Sequence, residues 1–123
     1  MEELLNADGA RVPVVNLCEV LDVSRRTHAV PEPEIRRVIE PLLLAGRLSA
    51  VRSGTTEAWI AADVRARYYD RKGRALSLAD CFLLAHAATN GEELATADRA
   101  VAEVARAEGQ TVISLPDSAG ERP

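Results

Sequence analysis

The segment Ser77-Leu78-Ala79-Asp80-Cys81-Phe82-Leu83-Leu84-Ala85-His86-Ala87, with its continuation Leu94-Ala95-Thr96-Ala97-Asp98-Arg99, decides how this chain is read. Ser77 with Asp80 three residues later has the spacing of a helix start, and an apolar run follows as far as Asn90-Gly91. Glu93 to Thr96 reads as a short strand, Arg99 to Glu108 as a helix stopped at Gly109, and Thr111 to Leu115 as a closing strand. An acid thus stands at two successive helix starts. Upstream, Val12-Pro13-Val14-Val15 reads as a strand running into Asn16-Leu17-Cys18-Glu19, a third acid expected in a helix's first turn. Such acids can converge on one edge of a sheet. Clustered carboxylates hold divalent metal, and metal with water cuts phosphodiesters.

The remaining pattern also alternates. Glu2 to Ala7 reads as a helix end stopped at Asp8-Gly9, and Asn16 to His28 as a helix with Leu17, Val20, Leu21 and Ser24 on one face. Pro31-Glu32-Pro33 opens a helix to Leu44, striped by Ile35, Val38, Ile39, Leu42 and Leu43, with a kink expected at Pro41. Leu48 to Arg52 is a strand, Thr55 to Asp70 a helix, and Arg71-Lys72-Gly73-Arg74 a basic turn. Strands alternating with helices predict an α/β fold, a mostly parallel sheet flanked by helices on both faces. In such sheets the site lies beyond the carboxyl ends of the strands. The expected organisation is one domain over residues 1–115, with a disordered tail over 116–123.

Composition narrows the options. The chain has 123 residues and a net charge of −4, which argues against nucleic-acid binding by bulk charge, so any such contact must be local. Aromatic residues make up only 3%, so the core must be built from Ala, Leu, Val and Ile. Cys18 and Cys81 are expected as buried free thiols of a reducing compartment. With no basic-then-apolar leader and no run long enough to span a bilayer, a cytoplasmic protein without membrane contact is expected.

Each acid also has a plain structural reading. Asn16-x-x-Glu19 and Ser77-x-x-Asp80 fit loose capping boxes, and Asp98 fits an N-cap. Apolar neighbours on both sides of Glu19 and Asp80 favour a further role, because carboxylates in such company need a cation. His28 and His86 have no ligand-spaced partner and do not suggest zinc. Arg65, Arg67, Arg71, Lys72 and Arg74, interleaved with Tyr68 and Tyr69, form the one basic patch. Arg71, Lys72 and Arg74 are its candidate RNA contacts.

The run Leu76 to Ala87 followed by Leu94 to Arg99 resembles the second half of PIN-domain ribonucleases of the VapC toxin type, and Val12 to Leu21 fits the family's helix that carries an acid. The resemblance implies a magnesium- or manganese-dependent endoribonuclease, dimeric and restrained by a cognate antitoxin. By residue, Glu19, Asp80 and Asp98 match the family's second, third and fourth acids as metal ligands. Thr96 matches the hydroxyl residue that precedes the last acid and supports it. The family's first strand, with its acid, has no counterpart here, and Asp8 sits in a glycine turn that does not replace it. An N-terminally truncated PIN domain lacking its central first strand is therefore expected. Two functions follow: the endoribonuclease itself, or a catalytically impaired remnant that serves only in antitoxin binding or dimerisation. A small binding module whose acids are merely caps is the third reading.

Overall fold

Pro13 sets the first boundary in the chain. A computed structural model describes residues 9–123, so the expected helix end at Glu2–Ala7 and the Asp8 turn residue lie outside the described residues. Strand β1 spans Ala10–Pro13 and helix α1 spans Val14–Arg26. Val14 and Val15, expected in the strand, are therefore helical. Proline has no N–H to continue a ladder, and its φ of −61° is already that of a helix entry. Helix α2 spans Glu32–Leu44, with Pro31 at its N-cap, and it runs on through Pro41. Strand β2, Leu48–Val51, pairs parallel to β1 with Ala10 opposite Leu48 and Pro13 opposite Val51. Gly9 enters this pair with φ +81°. A Cβ there would stand 3.2 Å from the Arg47 carbonyl oxygen and 3.3 Å from that of Gly46, so a side chain would be both strained and crowded.

The chain groups into two compact units, residues 1–52 and 53–123. In the first unit the apolar stripes are only partly used. Ile35 is buried, but Val20 on α1 and Val38 on α2 are exposed, as is Cys18, which was expected to be buried. Two strands of four residues offer too little surface to cover both helix faces.

The second unit holds the core. Helix α3 spans Thr55–Tyr68, α4 spans Leu78–Asn90, and α5 spans Arg99–Ala107. Strands β3, Leu94–Thr96, and β4, Val112–Ser114, pair in parallel through the α5 crossover, with Leu94 opposite Val112 and Thr96 opposite Ser114. Cys81, Leu84 and Ala85 of α4 and Val101, Val104 and Ala105 of α5 fall at i, i+3, i+4 spacing. They pack with Leu94, Leu76, Ala61 and Val64. All are aliphatic or small, as the scarcity of aromatics requires, and Trp59 points into solvent at 79% exposure.

The architecture is mixed α/β with short parallel strands, as expected. Among the described residues the strands pair two by two, β1 with β2 and β3 with β4, and no ladder joins the pairs into one sheet. Beyond Pro116 the chain turns at Asp117, whose N–H donates to the Glu121 carbonyl, and returns to β4. There the Ser114 hydroxyl donates to the Pro123 carbonyl oxygen at 2.9 Å. No helix among the described residues is long and apolar enough to cross a membrane.

Candidate active site

Asp80 and Asp98 both sit at helix starts, and each owes its position to a cap. Ser77 is the N-cap of α4: its Oγ accepts the Asp80 N–H at 3.0 Å, and Asp80 Oδ2 accepts the Ser77 N–H at 3.0 Å. The capping box read from the sequence is therefore formed in full. Asp98 is the N-cap of α5, its Oδ1 accepting the Val101 N–H at 3.0 Å. Thr96, the last residue of β3 and buried, turns its Oγ1 to accept the Asp98 N–H at 3.0 Å. That bond sets the chain direction between strand and helix, which is how the threonine supports the acid after it. Thr96 and Asp98 thus stand at the carboxyl end of β3, where α/β proteins place their ligands.

One oxygen of each carboxylate is occupied in this way. The second, Asp80 Oδ1 or Asp98 Oδ2, receives no hydrogen bond from the described residues. The two acids also feel each other. Partial burial pushes the Asp80 carboxyl above its ordinary pKa; bonds from Ser77 oppose the rise, and repulsion from Asp98 adds to it. Burial likewise pushes the neighbouring Cys81 thiol up, with Asp80 adding to the rise and the Arg65 guanidinium opposing it.

A consequence for stability follows. An acid whose pKa rises on folding keeps its proton where the unfolded chain has lost it. Folding then takes up a proton between the ordinary and the raised value, so stability falls as pH climbs through that window and stays lowered above it. Asp80→Asn keeps an oxygen for the Ser77 N–H and removes the charge. The variant is expected to be more stable than the parent at neutral pH, with the difference closing below the ordinary aspartate pKa. Urea melts across pH check this, and a variant less stable at pH 7 than at pH 3.5 relative to the parent would reject it.

Glu19 behaves differently. Helix α1 begins five residues earlier, with Pro13 at its N-cap and no acid in its first turn, so the expected Asn16–Glu19 capping box does not form. Glu19 is exposed and belongs to the first unit. Its apolar sequence neighbours do not bury it, because a helix turns Leu17 and Leu21 toward one side and residue 19 toward another. Asp80, Thr96 and Asp98 all belong to the second unit, where Thr96 bonds to Asp98 and the Asp98 charge reaches Asp80.

Carboxylate oxygens of this kind are what a hard divalent ion takes as ligands. Among the described residues no three His, Cys, Asp or Glu side chains stand together as a cage. Magnesium does not require one, since it binds through one or two carboxylates and keeps several waters. The Asp80 carboxyl is pushed up first by burial and further by the Asp98 charge, and a cation at these oxygens would relieve both.

The cationic patch is only partly free. Arg67 is tied to Glu108 and Asp63, and Arg74 lies 3.8 Å from Glu103. Arg71 and Lys72 make no side-chain ion pair among the described residues. Their turn is closed by bonds in both directions between the Asp70 and Arg74 backbones. Sequence reasoning did not single out Ser53 and His86, whose Oγ and Nε2 lie 2.8 Å apart at the start of the second unit. Thirty-three residues separate them, and no local pattern signals the pair. A cavity of 420 Å³ lined by Gly91, Glu92, Gly109 and Gln110 sits at the opposite, amino ends of β3 and β4, away from the two aspartates.

Compared with known families, residues 1–107 match the model described as the PIN domain. No curated protein matches the chain. That family is one of nucleases in general, generally dependent on divalent metal and generally acting on RNA.

Proposed function

We propose, from the premise that the chain belongs to the PIN-domain family, that it is a metal-dependent endoribonuclease of the VapC toxin type. The observation that carries this reading is the pair Asp80 and Asp98, each anchored at a helix start by one oxygen and presenting the other. Asp80 and Asp98 would hold magnesium or manganese, with water completing the shell. When bound, the ion supplies an acidified water and neutralises charge on the scissile phosphate. The chain's own residues contribute position. Ser77 and Thr96 fix the two aspartates, and Arg71 and Lys72 meet the RNA backbone, with Arg74 beside them. In the overall reaction water adds to phosphorus, the bond to the leaving ribose oxygen breaks, and that oxygen takes a proton.

The rate depends on how firmly the two carboxylates are held, since about 1 Å of misplacement costs roughly a hundredfold. The test is cleavage of a labelled RNA panel with magnesium, manganese or chelator. Cleavage that needs the metal, and falls about tenfold or more in Asp80→Asn, is the expected result. Equal cleavage in chelator would reject a metal-dependent reaction, and an unchanged rate in Asp80→Asn would remove Asp80 from the site.

A second reading keeps the surfaces without the chemistry, as an antitoxin-binding or dimerisation module. Exposed apolar side chains favour it: Leu44 at 90% and Val38 at 64% in the first unit, and Trp59 at 79% in the second. Metal-independent binding of a partner protein by a chain that cuts no RNA would select it.

A further inference from the structure

A shallow groove of 440 Å³ in the second unit is lined by Ala62, Arg65, Ala66, Tyr69 and Leu78. Its floor is made of alanines one helical turn apart on α3, so the groove is broad and flat rather than filled. One wall is Leu78, the first residue of α4 and 54% exposed, in the same helical turn as Asp80. The opposite wall is a platform, with the Arg65 guanidinium carbon 4.7 Å from the centre of the Tyr69 ring. Arg65 is held there because its Nε donates to the Leu76 carbonyl oxygen at 3.2 Å, tying α3 to the loop that leads into α4. The basic turn with Arg71 and Lys72 follows Tyr69 directly.

The charges select the occupant. Arg67 and Arg74 are matched by carboxylates of this chain. Arg65 is met by a carbonyl, and Arg71 and Lys72 by no carboxylate among the described residues. An aromatic ring, a guanidinium plane and unmatched cations together suit a base attached to phosphates. Unpaired bases stack on tyrosine rings and arginine planes, while phosphates take the cations.

We infer that this groove is a subsite for one unpaired base of the RNA, next to the phosphodiester presented to Asp80 and Asp98. The inference rests on the ribonuclease reading for the placement of the cut, but base binding is measurable without cleavage. The substrate class it names is single-stranded RNA, or a loop, with a base turned out beside the cut.

The experiment measures binding of short fluorescent single-stranded RNAs in chelator, intact and with one base at a time removed. The parent is expected to lose about five- to hundredfold in affinity when one particular base is absent, the range of a single stacking contact. Tyr69→Leu should lose the same factor on intact RNA and be indifferent to that missing base, whereas Tyr69→Phe, which keeps the ring, should bind as the parent does. Tyr69→Leu binding intact RNA as tightly as the parent overturns the subsite, and so does an equal loss on intact and base-depleted RNA. An unchanged RNA affinity together with altered self-association would instead assign the groove to a second copy of the chain, again overturning it. The two readings fail separately. A parent that cuts nothing with magnesium but shows the Tyr69-dependent base preference loses the nuclease and keeps the subsite.

Discussion

Asp98→Asn is expected to lower metal-dependent RNA cleavage by at least about a hundredfold while leaving the thermal melt where it was. Asparagine caps a helix about as well as aspartate, so the Val101 N–H keeps its acceptor and α5 keeps its start. What changes is one unit of negative charge and one good ligand oxygen, and ligand-supporting groups alone are worth about ten- to hundredfold in metal sites. Rates on a labelled RNA with magnesium, read beside a thermal melt of the same preparation, separate the two effects. An unchanged rate would place the chemistry elsewhere, and a lowered melt would mean the acid is structural first.

Leu84→Ala is the substitution expected to cost most in stability, about 3 kcal/mol within the usual range of 2–5 for a fully buried leucine. Leu84 has no exposed surface and packs in the cluster that also holds Leu94 of β3 and Val104 of α5. Most of the other buried members of the cluster are alanines and valines, short side chains with little reach to fill the space left. Because β3 and α5 flank Asp98, the loss should also loosen the strand-to-helix turn that presents it. Urea unfolding followed by circular dichroism measures the first effect, and a cost below about 1 kcal/mol would show that the helices collapse onto the cavity.

The two halves of the chain were not equally legible. From Ser77 onward the local signals agree with one another: an N-cap serine with its acid, a glycine at residue 91 with φ +63° closing α4, and a stripe at helical spacing on α5. Each of those features acts within a few residues, so spacing along the chain is enough to read it. The start of α1 was misread because four β-branched or apolar residues looked like a strand. Backbone chemistry at Pro13 outweighs the side-chain preference of Val14 and Val15. Glu19 was read as buried from its neighbours in sequence, although a helix sends adjacent residues to different sides.

The order of the elements, the caps at Ser77 and Asp98 and the family are all legible from the chain alone. These depend on short-range hydrogen bonding and on residue types at set spacing. That the Asp98 charge reaches Asp80 depends instead on how the elements pack. So do the pairing of Arg67 and Arg74 with carboxylates, which Arg71 and Lys72 lack among the described residues, the meeting of Ser53 with His86, and the pairing of the described strands two by two. The reason is distance along the chain. Arg67 and Glu108 are 41 residues apart, and which partner a charge or a strand meets depends on how helices of similar pattern pack, which no local signal encodes.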